Sequence, residues 1–327
     1  MNESMLEINN LRVHYVTDDE TVEAVNGVDL ILNQGETLGL VGETGAGKTT
    51  LAKSIMRILP DPPAKIIEGE IIFQNEDLLK KSNNEMRKIR GNKISMIFQD
   101  PMTALNPVIT IGDQIAEVIQ LHQKLSKSEA ALKAKEMLEM VEIPSIRYNE
   151  YPHQFSGGMK QRVIIAIALA CNPTMLIADE PTTALDVTIQ AQVLRLMNKL
   201  KREMKTSMLL ITHDLGVVAE TCDRVAIMYA GEIIESGSAI DIFENKIHPY
   251  TRGLFDSIPD INENISRLKP IFGLMPDPSE LPLGCKFAER CPDRTTNCHL
   301  KVVPMKKVSE THSVRCFSIG QNEEASR

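Results

Sequence analysis

Apolar residues recur at two different spacings along the chain. Near the N-terminus they alternate with polar residues, first at 6–13 and again at 25–32, which is typical of half-buried strands. Farther on, short apolar runs alternate with segments of helical spacing. The further predicted strands span 36–42, 70–73, 94–98, 175–178, 208–212 and 224–229, and predicted helices span 51–59, 187–204 and 215–221. This alternation predicts an α/β fold whose mainly parallel sheet is covered on both faces.

A helical block interrupts this pattern. Between about 105 and 170 the apolar residues follow helical spacing, notably over 111–119 and 131–141. The preceding and following segments both have the pattern of buried strands. We therefore expect a helical subdomain inserted into the α/β core.

Composition excludes some classes of protein. The chain has 327 residues, of which 43% are hydrophobic and 24% charged, and its formal net charge is −8. That charge argues against a large nucleic-acid surface. The N-terminus has acidic residues and no apolar stretch of a secretory signal. The longest apolar run, Val163–Cys171, is shorter than the ~20 residues of a membrane-spanning helix. These features favour a cytoplasmic protein of about two domains.

A phosphate-binding motif follows the third predicted strand. It reads Gly42-Glu43-Thr44-Gly45-Ala46-Gly47-Lys48-Thr49 and is followed by Thr50. Its glycines allow backbone N–H groups to surround phosphate oxygens, and the next helix directs its positive end at the anion. Lys48 would neutralise the β- and γ-phosphates, and the Thr49 hydroxyl would bind Mg²⁺. A nucleotide site is predicted here.

Two adjacent carboxylates supply a second part of that site. Asp179 and Glu180 follow the apolar run Met175–Ala178, so they lie at the carboxyl end of a predicted strand, where open α/β sheets bind ligands. We expect Asp179 to hold Mg²⁺, usually through water. Glu180 could orient or deprotonate the attacking water.

A third motif identifies a family resemblance. It reads Phe155-Ser156-Gly157-Gly158-Met159-Lys160-Gln161-Arg162 and resembles the signature of ABC ATPases, with Phe for the usual Leu and Met for the usual Gln. Other positions are similar to further elements of that family. They are Tyr15 (adenine stacking), Gln99 (Q-loop, sensing metal and water), Ala184-Leu185-Asp186 (D-loop) and His213 (switch histidine, bonding the γ-phosphate). The resemblance implies a P-loop NTPase with a RecA-like core and an N-terminal antiparallel β part.

The resemblance also implies a dimer. In ABC ATPases the signature Ser and glycines close on the nucleotide of the opposite subunit, and this chain has one P-loop and one signature. We therefore expect it to pair with a second ATPase subunit, identical or similar, around two molecules of ATP and Mg²⁺. Glu180, His213, Gln99 and Lys48 are the expected catalytic residues.

Three segments narrow the resemblance to ATPase subunits of bacterial dipeptide, oligopeptide and nickel importers. They are 98–107, 248–259 and 284–292. The resemblance implies two transmembrane permease subunits and, indirectly, an extracytoplasmic peptide-binding protein. It also implies a location at the cytoplasmic face of the membrane. Nickel import is the alternative within this group, and an ABC ATPase acting on nucleic acid or ribosomes is the alternative outside it.

The C-terminal tract has an unusual cysteine content. Four of six cysteines fall there, at Cys285, Cys291, Cys298 and Cys316, whereas Cys171 and Cys222 are expected to be buried apolar residues. The loops between the four are too polar to form a core, so a metal centre is favoured. Four thiolates suit an iron–sulfur cluster or Zn²⁺, with reduced or disulfide-linked cysteines as the third option. His299 and His312 lie close enough in sequence to replace a ligand.

The subfamily resemblance points to a [4Fe–4S] cluster at these cysteines. It also suggests a division of the chain into an ATPase domain over 1–245 and a C-terminal extension over 246–327. The helical block of about 105–170 belongs to the first domain.

Overall fold

The computed structural model describes residues 3–99, 101–183, 185–257 and 271–318. Asp100, Ala184, Ile258 and Pro259, which belong to motifs above, lie outside the described residues. The strands are β1 (Ser4–Val16), β2 (Thr21–Asn33), β3 (Thr37–Val41), β4 (Ala64–Phe73), β5 (Glu76–Asp77), β6 (Ile94–Ile97), β7 (Met175–Asp179), β8 (Ser207–Thr212), β9 (Arg224–Tyr229), β10 (Glu232–Ser238), β11 (Lys306–Lys307) and β12 (Ser313–Val314).

Helices connect most of these strands. They are α1 (Lys48–Met56), α2 (Asn83–Ile89), α3 (Pro101–Ala104), α4 (Ile111–Gln123), α5 (Lys127–Met140), α6 (Gly157–Leu169), α7 (Val187–Met204), α8 (Leu215–Thr221), α9 (Ala239–Glu244), α10 (Pro249–Asp256) and α11 (Asn297–Leu300). Short 3-10 turns occur at Leu78–Lys80, Ser145–Asn149, Pro152–Gln154 and Ala288–Arg290. No helix within the described ranges combines the length and apolar character that crossing a membrane requires.

The larger of two sheets has the order β11-β12-β10-β9-β3-β8-β7-β6. Its strands from β9 to β6 are parallel, and β10, β12 and β11 continue it in antiparallel pairing. The smaller sheet, β2-β1-β4-β5, is antiparallel throughout. The α/β class and the N-terminal antiparallel part are thus confirmed.

The parallel strands are buried on both faces, which explains their continuous apolar runs. In β8, Leu209 and Ile211 join one core cluster, together with β1, β2 and α1, whereas Leu210 joins the other. The second cluster extends into α4, α5 and α6, which occupy the segment between β6 and β7. The helical spacing of apolar residues in this insertion therefore reflects their burial in the same core as the main sheet.

Strand β10 was not predicted from the sequence. Its Glu235 is fully buried, which interrupts the apolar pattern expected of an interior strand. The carboxylate accepts hydrogen bonds from the backbone N–H groups of Ile247 and His248 and contacts Nε2 of His312 at 2.8 Å. A buried charge is tolerated because its oxygens are paired. Since His312 precedes β12, this contact also joins the C-terminal tract to the main sheet.

Candidate functional site

The phosphate-binding loop lies between β3 and α1 and makes close backbone contacts. Gly47 has φ +101°, and a Cβ there would lie 2.3 Å from the carbonyl oxygen of Ala24. A Cβ on Gly42 would lie 2.1 Å from the carbonyl oxygen of Met228. Only glycine fits these approaches, and Gly47 needs its conformational freedom as well because its φ is positive.

Lys48, the first residue of α1, is folded back onto this loop. Its Nζ donates hydrogen bonds to the carbonyl oxygens of Gly42 at 2.7 Å and Glu43 at 2.9 Å. Burial lowers the pKa of Lys48, while the neighbouring carboxylates of Glu180, Asp179 and Glu43 act against that shift. The ammonium therefore lies in a polarised environment, ready to exchange carbonyl partners for phosphate oxygens.

Asp179 ends β7 and is 1% exposed. Its Oδ1 has no hydrogen-bond partner, and burial raises the pKa of its carboxyl although a hydrogen bond with Thr49 acts in the opposite direction. A buried, unpaired carboxylate oxygen beside a threonine hydroxyl is a suitable donor set for Mg²⁺, which prefers oxygen ligands. The residues present therefore fit the expected magnesium ion.

Glu180 brings together three separate segments. Its Oε1 lies 3.1 Å from Nδ1 of His213, and its Oε2 accepts from Nε2 of Gln99 at 3.1 Å. Thr183 also donates to Oε2, at 3.0 Å, a contact that the motifs did not reveal. Glu180 has φ +48°, an unfavourable value for a non-glycine residue. The unusual backbone conformation therefore occurs at the residue whose carboxylate contacts Gln99 and His213.

The pKa of Glu180 reflects these contacts. Burial raises it, but hydrogen bonds from His213 and Thr183 together with positive neighbours outweigh burial, so the pKa lies below its ordinary value. The side chain is therefore an ionised carboxylate at neutral pH, the form that accepts or orients a proton.

A cleft of about 240 Å³ connects these groups. It is lined by Val22, Ala24, Thr44, Gly45, Gly47, Lys48, Thr49, Thr50, Gln99, Glu180, His213 and Pro278. Tyr15 does not line the cleft. Its hydroxyl lies 3.2 Å from Oγ1 of Thr50, and Thr50 does line the cleft. Adenine stacking on Tyr15 stays a prediction.

The signature residues lie apart from this cleft. Ser156 caps α6 by accepting from the N–H of Met159, and none of Ser156, Gly157 and Gly158 lines the cleft. A Cβ on Gly158 would lie 2.5 Å from the Ile189 side chain, so this glycine permits close packing of α6 on α7. Asp186, the D-loop residue, caps α7 by accepting from the N–H of Ile189.

The four C-terminal cysteines do not form a metal-binding group as placed. They are free thiols, and among the described residues no three His, Cys, Asp or Glu side chains are arranged to hold a metal ion. The thiols are nevertheless neighbours. Burial raises the pKa of Cys285 to about 12, and Cys298, Cys291 and Cys316 add to that rise. The cysteine tail therefore does not itself supply the expected cluster geometry.

Neither histidine of the tail serves as a substitute ligand in this arrangement. His312 is buried against Glu235, and His299 lies 3.6 Å from Glu289 near the surface. Cys171 and Cys222 are each 8% exposed, as expected for small apolar residues.

Comparison with known proteins places these features in a family. Residues 25–183 match the ABC transporter family, and residues 234–298 match the C-terminal region of oligopeptide/dipeptide transporters. A probable peptide ABC transporter ATP-binding protein of Sinorhizobium fredii is 51% identical over 96% of this chain and 94% of its own length. A dipeptide transport ATP-binding protein of Bacillus subtilis is 51% identical over 98% of this chain and 97% of its own length.

Solved structures agree with the sequence matches. A dimeric ATP-binding cassette in a post-hydrolysis state, bound to ADP and Pi, superposes with a TM-score of 0.65 at 30% identity. The match covers 72% of this chain and 99% of that one. Together with the cleft formed by the P-loop, Gln99, Glu180 and His213, these matches show that the chain belongs to the ABC transporter family of ATP-binding proteins and hydrolyses ATP.

Proposed function

We propose that this chain is the ATP-hydrolysing subunit of a dipeptide or oligopeptide importer. The observation that carries the proposal is the ionised Glu180 carboxylate, which contacts Gln99 and His213 at a cleft that also contains the P-loop. Peptide as the cargo is supported by the oligopeptide/dipeptide transporter match at 234–298 and by the peptide named for the Sinorhizobium and Bacillus proteins.

ATP binding begins at the P-loop. The backbone N–H groups at the start of α1 and the Lys48 ammonium bind the phosphates. Lys48 then donates its hydrogen bonds to phosphate oxygens in place of the carbonyl oxygens of Gly42 and Glu43. Thr49, Asp179 and Gln99 are the residues we assign to Mg²⁺. When bound, Mg²⁺ neutralises charge on the β- and γ-phosphates. The unpaired Oδ1 of Asp179 supports this assignment.

Hydrolysis depends on the position of Glu180. We assign it the role of base, because its ionised carboxylate can accept a proton from the attacking water. Gln99 and Thr183 donate hydrogen bonds to one carboxylate oxygen, and His213 contacts the other. His213 is 65% exposed, so it is free to contact the γ-phosphate as the site closes. Lys48 and His213 then stabilise charge that develops in the transition state.

Completion of the site requires a second ATPase subunit, in this proposal. Ser156, Gly157 and Gly158 do not line the cleft of their own chain, which leaves them available to a nucleotide bound by a partner. The partner is a second copy or a similar ATPase. Closure around two ATP molecules is favoured only by contacts that ATP makes in the closed state and not in the open state. The same motion would act on two permease subunits at the cytoplasmic face of the membrane, to which a peptide-binding protein delivers cargo.

Uptake in cells tests the peptide assignment. In cells that lack the chain, the wild-type protein should restore uptake of a labelled dipeptide, and Glu180→Gln should not. The exposed Glu203→Gln is the matched control and should behave as wild type. Restoration of nickel uptake in place of dipeptide uptake, or purification with nucleic acid and without integral membrane subunits, would overturn the peptide-import proposal.

A [4Fe–4S] cluster, with Zn²⁺ as the alternative, stays a separate prediction for Cys285, Cys291, Cys298 and Cys316. The four thiols lie close to one another, because neighbouring cysteines contribute to the raised pKa values of Cys285, Cys291 and Cys316. This proximity supports the prediction. A metal ion binds thiolates, so its arrival must displace protons and draw the sulfur atoms together. Anaerobic purification with iron, sulfide and zinc analysis, together with a search for an absorption band at about 400 nm, tests the prediction. One zinc and no iron per chain would rule out the cluster.

A further inference from the structure

The C-terminal tract reaches the phosphate-binding loop through Arg290. The side chain of Arg290 is 7% exposed, and its Nη1 donates to Oε2 of Glu43 at 3.0 Å. Its Nε and Nη2 donate to the carbonyl oxygens of Phe272 and Ile271. The guanidinium is therefore fixed by its own segment and presents one nitrogen to the P-loop.

A second contact reaches the same P-loop residue. The backbone N–H of Glu43 donates to the hydroxyl of Tyr250 at 2.9 Å. Tyr250 is fully buried on α10, with its ring 4.6 Å from that of Tyr229 and 5.4 Å from that of Phe287. Since packed aromatic rings restrict one another, the hydroxyl has a defined position beneath the loop.

A third segment forms part of the cleft wall. The backbone N–H of Glu23 on β2 donates to the carbonyl oxygen of Pro278 at 2.8 Å, and Pro278 lines the cleft. The terminal methyl of Met275 lies 3.0 Å from the point where a Cβ on Gly45 would be. The segment 275–278 is thus packed against both β2 and the P-loop.

We propose that Arg290 and Tyr250 are positioning residues for ATP binding, through which the C-terminal tract holds the P-loop in its binding conformation. They act on both the side chain and the backbone of Glu43, which lies one residue after the first glycine of the loop. A loop already held in its bound shape loses less conformational entropy when ATP arrives, so ATP binds more tightly.

Nucleotide binding by the full-length chain tests this proposal. Arg290→Gln, Glu43→Gln and Tyr250→Phe should each raise the KM for ATP and the Kd of a fluorescent ATP analogue by about fivefold to tenfold, with a smaller change in kcat. Arg294→Gln is the matched control, since Arg294 lies in the same tract and its exposed side chain contacts the carboxylate and the carbonyl oxygen of Glu289. It should leave KM and Kd unchanged.

The double variant separates positioning from general stability. If Arg290 acts through Glu43, then Arg290→Gln combined with Glu43→Gln should raise KM no more than either single variant. Independent effects that multiply would overturn the pairing. If Arg290→Gln does not fold, Tyr250→Phe, which removes one hydroxyl and keeps the ring, remains as the test. A lower melting temperature with unchanged KM and Kd, in either variant, would reduce these contacts to a structural role and overturn the proposal.

Discussion

Gly47→Ala is expected to destabilise the protein more than Gly35→Ala, although both glycines have a positive φ. The values are +101° for Gly47 and +74° for Gly35. A non-glycine residue in a left-handed conformation costs about 1–2 kcal/mol, and both substitutions incur that cost. The two positions differ in the space around the added methyl group.

That difference can be worked out from the surrounding atoms. A Cβ on Gly35, in the turn between β2 and β3, meets nothing within 4 Å. A Cβ on Gly47 meets the carbonyl oxygen of Ala24 at 2.3 Å and the Met228 terminal methyl at 2.9 Å. The methionine can move, but the carbonyl belongs to β2, so the loop itself must shift. Overpacking of this kind costs about 1–3 kcal/mol. The free energy of unfolding should fall by about 1–2 kcal/mol in Gly35→Ala and by about 2–5 kcal/mol in Gly47→Ala.

Urea denaturation followed by circular dichroism measures this difference. Binding of a fluorescent ATP analogue should be lost only in Gly47→Ala, because only there do the phosphate-binding N–H groups shift. Equal destabilisation of the two variants, with ATP binding retained in both, would refute the close-contact account of the P-loop.

Two further predictions concern buried acids. Burial raises the pKa of Asp179 in the folded chain, so its ionised form is disfavoured and the free energy of unfolding rises as pH falls through that pKa. Asp179→Asn should remove this pH dependence in melts of the nucleotide-free chain, and it should also abolish the extra stabilisation given by ATP with Mg²⁺. Glu235→Ala should lower the free energy of unfolding by about 3–5 kcal/mol, because His312 and two backbone N–H groups lose their acceptor. As a control, Glu244→Ala at an exposed position should change the free energy of unfolding by less than about 0.5 kcal/mol. A comparable loss in Glu235→Ala and Glu244→Ala would contradict the claim that the buried contacts of Glu235 stabilise the fold.

Local sequence was sufficient to predict much of the α/β core. The P-loop lies between an apolar strand and a helix, and the strands around it are recognisable because both of their faces are buried. Helix α1 begins at Lys48, earlier than the apolar spacing indicates, since the P-loop residues themselves form its first turn. The parts of the site that depend on local chain order were therefore accessible from the sequence.

Contacts between distant segments were not predictable in this way. Glu43 meets Tyr250 and Arg290 across 207 and 247 residues, and no periodicity reports such a pairing. Strand β10 escaped prediction because Glu235 is a charged residue in a buried position, stabilised by partners that follow it in the chain. The sequence also suggests His312 as a metal ligand, because its carboxylate partner Glu235 lies 77 residues away and cannot be identified from local pattern.

ATP hydrolysis and retention by Glu180→Gln test the central claim most directly. The amide keeps the size of the side chain but cannot accept a proton, so the hydrolysis rate should fall by about a hundredfold or more. The variant should still bind ATP, and in its presence light scattering should show the mass of a dimer. Hydrolysis by Glu180→Gln at the rate of wild type and of Glu203→Gln would contradict the assignment of Glu180 as the catalytic base.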